Sequence, residues 1–428
     1  IRTLDWGYMA GGIISCTLFL FPPLVCFGMT SPVIIKLITD KIRFAGNIAG
    51  NVYAVSTAGG IITTFLTGFY ILPIYGLKVS IIANVVVLAI ISLSYFIINR
   101  KFLVTLGIIF FVFITVAAWL NPQKQKRHSH IKILHRSDGL LGQVMIADDK
   151  KTQKRSLHIN NISQTFMHIP TGRSQWKYIH RIAFYSSFKP AGSKVLVCGL
   201  GGGNLVNEFN NLGFDIDAVE IDKRMKYLAW KHFYMTHNVK VYTDDARHYI
   251  RTCKKKYDIV VLDMSAGENQ PANIYTVACF KELQSILNDD GIVFLHYQNV
   301  LEGEHDLAVK SIGKTLQRSG FHYKLINTQN DWKLISELML FASMKPAGKG
   351  GIDLTSYSFE RRDRFSDPFN FPTGQDIFID DYDFSDGIIL TDDNPIMDVL
   401  HVNALEMTRG GSINTTIPVL LKEKIEVF

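Results

Sequence analysis

Four carboxylates and a cluster of glycines are the residues of this chain whose types and spacing could do chemistry. The short apolar run Val195-Leu196-Val197-Cys198 ends in Gly199-Leu200-Gly201-Gly202-Gly203-Asn204, and Glu220 closes a second apolar run seventeen residues after Gly203. Clustered glycines let backbone approach a ligand closely, and a carboxylate at the next strand end can accept hydrogen bonds from both ribose hydroxyls. A dinucleotide fold wants Gly or Ala where this chain has Asn204, so the Gly199-x-Gly201-x-Gly203 spacing suits an adenosyl-sulfur ligand better than NAD. Asp244 and Asp245 end a third run, where they can hold an adenine amino group or cap a helix. Asp263 ends a fourth, Val260-Val261-Leu262. In an open α/β sheet ligands sit outside the carboxyl ends of the strands, so Asp263 is placed to take a proton from an attacking amine. Its alternatives are a helix cap and a structural acceptor.

These residues need a sheet to hold them. Apolar runs of strand length at 194–198, 215–219, 239–242, 258–263, 291–295, 321–326 and 337–344 alternate with helical segments, the pattern of a doubly wound parallel sheet. Residues 131–168 read as short strands and turns, forming a small β-rich subdomain, and 174–188 as an amphipathic helix. His296 and Tyr297, after the fifth run, either face the pocket or finish a strand end. The expected divisions are 1–120, a helical membrane domain; 121–190, a basic linker and the β-rich subdomain; 191–345, the nucleoside-binding domain; and 346–428, a loop-rich extension opened by Gly348-Lys349-Gly350-Gly351.

The front of the chain has a different composition. No charge occurs over 6–35, 44–77, 79–99 or 102–123, and each interval meets the roughly 20 apolar residues a helix needs to cross a bilayer. Four spans are expected, near 8–28, 47–70, 79–98 and 102–120, with upstream residues missing before Ile1. A cleaved signal peptide is excluded, because the hydrophobicity runs far past any cleavage site. Gly46 and Gly50, four apart, and the stretch from Ala54 to Gly60 suit close helix packing; a broken helix lining a substrate path finds no carboxylate or Arg inside a span to support it.

Net charge is +7, of which residues 121–155 supply +6, from nine Lys/Arg against Asp138, Asp148 and Asp149. A basic stretch after a span sits near anionic headgroups, and no aromatic-interleaved pattern supports nucleic acid as a partner. The five cysteines have no metal spacing, and Cys198 in an apolar strand indicates a reduced compartment and no metal site.

Beyond the glycine loop stand Val219-Glu220-Ile221-Asp222, Asp244-Asp245-Ala246-Arg247, Leu262-Asp263-Met264-Ser265, Asn273-Ile274-Tyr275-Thr276 and Asp290-Gly291-Ile292-Val293. Together they resemble the spermidine synthase, or polyamine aminopropyltransferase, family. The apolar front with Gly28-Met29-Thr30-Ser31-Pro32 and the late Leu390-Thr391-Asp392-Asp393-Asn394-Pro395 resemble its membrane-fused branch. The resemblance implies a class I methyltransferase-like Rossmann domain that transfers an aminopropyl group from decarboxylated S-adenosylmethionine to an amine. It further implies Gly199, Gly201, Gly203, Asn204, Glu220, Asp244, Asp245 and Gln143 as cofactor-binding residues, Tyr178 and Tyr275 as substrate-binding residues, and Asp263 as the base.

The departures bear on substrate. The family's Gly-Gly-Gly-Asp-Gly is here Gly201-Gly202-Gly203-Asn204-Leu205, its acidic helix start is Ser174-Gln175-Trp176-Lys177-Tyr178-Ile179-His180, and its second acid after Asp263 is Ala266. Three amine-facing acids are thus neutral or basic, which argues against putrescine as acceptor. Glu268 or the acids of 376–393 could restore charge, or the latter could be a solvated surface.

The expected function is a membrane-anchored transferase using S-adenosylmethionine or its decarboxylated form, with a small amine or other acceptor; the alternative is a non-catalytic membrane scaffold or transport component with a degenerate domain. Membrane lipid and a homodimer or membrane partner are the expected associations. Positive charges in the short loops place the large domain outside; cytosolic synthesis of the donor, with a re-entrant 29–46, places it inside.

Overall fold

The computed structural model describes residues 8–39, 41–100, 102–120, 130–139, 141–265, 270–299, 301, 306–327, 336–345, 377–379 and 382–402. The chain divides into two compact units, 1–120 and 121–428.

The first unit is helical: α1 (Tyr8–Ile38), α2 (Ala45–Leu66), α3 (Leu72–Ile98) and α4 (Phe102–Leu120). A π-helical turn, Thr67–Ile71, joins α2 to α3. Among the described residues, three stretches are long and apolar enough to cross a membrane, Ala10–Ile38, Ile42–Leu77 and Val79–Ile98, and Phe102–Ile114 of α4 is a shorter apolar stretch. Of the four expected spans, three coincide with these stretches, and the fourth, 102–120, coincides with α4. Close to the junction of the second and third stretches α3 kinks at Gly76, whose φ of 77° and ψ of 175° suit only a residue without a Cβ. α1 runs ten residues past its expected end at 28, so 29–38 belong to that helix rather than to a separate re-entrant segment. Pro22, Pro23 and Pro32 lie inside it. Their missing N–H groups remove ladder bonds without ending the helix.

The second unit opens with an antiparallel sheet in the order β1 (Ile131–Gly139), β2 (Gly142–Asp149), β3 (Lys154–Ile159), β4 (Ile162–His168). Helix α5 (Lys177–Ser186) follows. The main sheet then begins with β5 (Lys194–Cys198), α6 (Asn204–Asn211), β6 (Asp215–Glu220), α7 (Lys223–Phe233), β7 (Lys240–Thr243), α8 (Ala246–Thr252) and β8 (Tyr257–Leu262). It continues with α9 (Val277–Ile286), β9 (Leu287–Asn299), α10 (Leu307–Arg318), β10 (His322–Asn327), β11 (Ser336–Ser343), β12 (Ile377–Ile379) and α11 (Met397–Leu400).

Eight strands lie in the order β12-β10-β11-β9-β8-β5-β6-β7. β9, β8, β5, β6 and β7 are mutually parallel, as the alternation of runs predicts. β11 enters antiparallel between β9 and β10, and β12 pairs antiparallel with β10. Only eight residues separate Asn327 from Ser336, too few for the dozen-residue crossover a parallel pair needs. The sheet is therefore mixed at this edge.

Side chains alternate across the sheet and divide the core in two. Val195 and Val197 of β5 join Ile179, Ile182, Leu205, Phe209 and Leu228 on the α5-α6-α7 side. Leu196 and Cys198 join Ile250, Phe280, Leu283, Ile312 and Leu316 on the α8-α9-α10 side. Burial on both faces is what produces unbroken apolar runs in place of alternating ones. The late residues Phe384, Leu390 and Met397 belong to the second cluster. Arg247 fastens this segment: it pairs with Glu282 and with Asp392, whose carboxylate also accepts from the Thr276 hydroxyl at 2.6 Å. Arg247 holds the Asp392 carboxyl below its ordinary range.

Candidate active site

A cavity of about 380 Å³ opens at the carboxyl ends of the parallel strands, floored by the loop after β5 and roofed by Gln164, Thr165, Trp176 and Tyr178. The loop turns sharply because Gly199 adopts φ 92°, and a Cβ there would come within 2.0 Å of the Asp263 carbonyl oxygen. The Gly199 amide donates to Val219 O at 2.9 Å and the Asp263 amide to Cys198 O at 2.9 Å, so three strand ends are tied at one point. Gly199→Ala is expected to lower unfolding free energy by about 1–3 kcal/mol from backbone strain alone. Chemical denaturation of the purified variant checks this.

Glu220 reaches back from β6 to this loop. Its Oε2 accepts from the Leu200 amide at 3.0 Å and its Oε1 from the Asp222 amide at 2.9 Å. Burial pushes its pKa up, opposed by these backbone donors. A carboxylate has about four acceptor positions, so acceptor capacity remains for a ligand hydroxyl.

Asp245 caps α8 by accepting from the His248 amide at 2.9 Å, and Asp244 accepts from the His248 ring at 2.8 Å. The capping alternative thus describes Asp245 locally, and both aspartates also line the cavity.

Asp263 stands at the end of β8. Its Oδ2 accepts from the Tyr178 hydroxyl at 3.0 Å and its Oδ1 pairs with His296 Nδ1 at 2.8 Å. His296 lies within β9, stacks on the Tyr178 ring at 3.6 Å and 4°, and pairs through Nε2 with Glu337 of β11. Gln298 donates to the other Glu337 oxygen at 2.7 Å. Burial by itself would lower the His296 pKa, but the carboxylates of Glu337 and Asp263 outweigh it and raise it to about 10. Burial, then the same two carboxylates, pushes the Tyr178 phenol up.

Gly199, Gly201, Asn204, Glu220, Asp244, Asp245, Asp263 and Tyr178 all line this one cavity. Gly203, in the left-handed region, instead sets the amino end of α6. Gln143 is engaged at the β1–β2 turn, where its amide donates to Asp138 at 3.1 Å; Gln164 of β4 lines the cavity. Tyr275 is buried and gives its hydroxyl to Gln270 at 2.6 Å, so it lies behind the lining. Asp392 is taken by Arg247 and Asp383 by Ser385, while Asp398 of α11 and His401 reach the cavity. Glu268, Ala266, Asp376, Asp380, Asp381 and the glycines of 348–351 lie outside the described residues. Glu337 was not foreseen; its signal was a lone carboxylate entering the apolar run Leu338-Met339-Leu340-Phe341.

Among the described residues, two buried polar atoms on the lining have no protein partner: the Asn204 amide oxygen, an acceptor, and the Trp176 ring nitrogen, a donor. Buried polar groups left unmatched are costly, which suits a ligand that brings its own donor and acceptor.

Residues 177–334 match the family model described as the spermine/spermidine synthase domain. The polyamine aminopropyltransferase of Vibrio vulnificus (strain CMCP6) is 34% identical over 113 residues, 25% of this chain and 38% of that protein. The N-terminal histidine N-methyltransferase of Emericella nidulans is 31% identical over 112 residues, 25% of this chain and 20% of that protein. The matched stretch is thus well under half the length of either relative. A solved probable spermidine synthase from Corynebacterium glutamicum superimposes with a TM-score of 0.43 at 18% identity, covering 50% of this chain and 79% of its own. From the glycine loop through the carboxylates of β6 and β8 to the strands behind them, the site lies largely within residues 177–334, the stretch that is similar to the spermine/spermidine synthase domain.

Proposed function

We propose that this chain is a membrane-anchored transferase that moves an aminopropyl or methyl group from decarboxylated S-adenosylmethionine, or S-adenosylmethionine itself, to an acceptor other than putrescine. The carrying observation is that Glu220 and Asp263 stand at the ends of β6 and β8, flanking the glycine loop of β5 around one cavity. Glu220 would hold the ribose, Asp244 or Asp245 the adenine amino group, and the neutral Asn204 the tail of the donor. The acceptor nitrogen uses its lone pair to form the C–N bond as the C–S bond breaks. The departing pair neutralises the sulfonium to a thioether, and the nitrogen's proton passes to the Asp263 carboxylate. The protein's contribution is to position and deprotonate the nucleophile, because the sulfonium already makes the carbon electrophilic.

Trp176, Tyr178 and Gln164 line the same cavity as Asp263, and these uncharged side chains support an acceptor with fewer cationic nitrogens. Calorimetric titration of the full chain in detergent with methylthioadenosine and with both donors tests the reading. Saturable heat is expected; a folded sample giving none with any of the three overturns it. The domain is proposed to face the cytosol, where the donors are made, and protease protection in sealed vesicles checks the side.

A further inference from the structure

We propose that Glu337 is a positioning residue for Asp263, acting through His296: it keeps that ring protonated at both nitrogens, fixing Asp263 Oδ1 and leaving Oδ2 to take the acceptor's proton. The proposal rests on the transferase reading for its kinetic consequence, but not for its structural one.

The geometry carries it. A carboxylate oxygen only accepts hydrogen bonds. His296 Nδ1 faces Asp263 Oδ1 at 2.8 Å and Nε2 faces Glu337 Oε2, so a ring with a proton on one nitrogen would set a lone pair against a carboxylate at the other. The imidazolium satisfies both. His296 and Glu337 side chains are each 7% exposed, so neither solvent nor salt substitutes for the pairing. The titratable groups facing His296 among the described residues are Asp263 at the end of β8, Glu337 on β11 and the stacked Tyr178 on α5. A phenol ring lying flat on a cation is favourable, which adds a third element to the clamp.

The set Asp263–His296–Glu337 then carries one net negative charge before proton transfer and none after it. Glu337 thus keeps Asp263 a competent base: with it, the imidazolium's positive charge is balanced from behind rather than spent on the base itself. Gln298 holds the second Glu337 oxygen at 2.7 Å, so the carboxylate cannot rotate away.

Glu337→Gln is the test, because a Gln keeps the volume, still accepts from Gln298, and can donate to a neutral His296. The full chain, labelled with nitrogen-15 histidine and held in detergent, is titrated by NMR, and the His296 signal is assigned by its loss in His296→Gln. At about pH 8 an ordinary histidine is neutral. The expected result is an imidazolium signal from His296 there in the native chain, replaced in Glu337→Gln by the neutral form. A neutral His296 in the native chain overturns the proposal, as does an imidazolium that survives Glu337→Gln; the native titration decides even if the variant folds poorly. With turnover in hand, Glu337→Gln is expected to lower kcat by about 10- to 100-fold, the usual cost of removing an outer partner. It should also move the alkaline limb of the pH profile to lower pH while leaving nucleoside KM unchanged. Absence of any turnover alongside the expected spectra would defeat the transferase reading and leave this one standing.

Discussion

Glu220→Ala is expected to abolish measurable nucleoside binding. Two ribose hydroxyls donating to one carboxylate are charge-assisted bonds, each contributing about 1.5–3 kcal/mol. Losing both costs at least about 3 kcal/mol, a factor of about 100 or more in Kd. The substitution also frees the Leu200 and Asp222 amides that the carboxylate now holds, so the loop that cradles the ligand loses its anchor. Glu220→Gln separates the two effects. Its carbonyl oxygen can serve one backbone amide, but its NH₂ faces the other as donor against donor, so partial loss is expected rather than rescue. The pH dependence has a definite sign. Burial raises the Glu220 pKa, so protonation sets in at higher pH than for an exposed glutamate near 4.3. Affinity should therefore fall on acidification at a higher pH than an ordinary carboxylate would allow. Isothermal titration with methylthioadenosine across pH reads both the loss and the slope. Native-like affinity in Glu220→Ala would remove Glu220 from the site.

Why Glu220 and Asp263 could be found without coordinates, while Glu337 could not, follows from strand topology. A parallel strand buried on both faces reads as an apolar run, and the first polar residue past its end projects to the ligand edge. Val195–Cys198 and Ile259–Leu262 obey this, and Ile216–Val219 does apart from the buried Asp217, so Gly199, Glu220 and Asp263 are legible one by one. Glu337 sits at the beginning of an antiparallel strand, where the same edge is reached from the other direction. Nothing local marks β11 as running opposite to its neighbours except the short eight-residue link from β10. His296 fell between two readings because the apolar run Ile292–Leu295 stops at it, whereas β9 continues to Asn299 and pairs His296 with Met339.

Gln143 lies off the cavity lining for a related reason. A β-rich subdomain can be read from turns and alternation, but which of its strands faces the cavity depends on how the sheet lies on the loop after β5. That contact is made by Thr165 of β4, whose hydroxyl accepts from the Gly202 amide at 3.0 Å. Four-residue helical spacing, strand runs and glycine positions are local properties of sequence; the partner of a side chain across two sheets is not. In the first unit the same limit applies to length. The loss of charge over 6–35 marks an apolar helix, yet its expected end at 28 falls ten residues short of the end the backbone takes at Ile38.

Asp263→Asn is expected to lower kcat by about 10²–10⁴-fold while leaving nucleoside affinity within about a factor of two, the range for loss of a general base. An amide cannot accept the acceptor's proton, but it can still accept from Tyr178 and meet a His296 whose Nδ1 has become an acceptor. The fold and the stack of Tyr178 on His296 should therefore survive. This separation of binding from turnover distinguishes the two functional readings. A scaffold that uses the domain to pack or to sense a nucleoside needs Glu220 and the glycine loop and has no use for a carboxylate at 263, so native and variant chains would behave alike. A transferase needs a group at that point that changes its proton count during the reaction. Mass-spectrometric detection of released methylthioadenosine or S-adenosylhomocysteine, with candidate amines supplied in turn, measures it. Product from the native chain that falls with Asp263→Asn at unchanged nucleoside Kd assigns the base. Equal product from both would place the proton acceptor elsewhere, with His296 already excluded from the role by the two carboxylates that occupy its nitrogens.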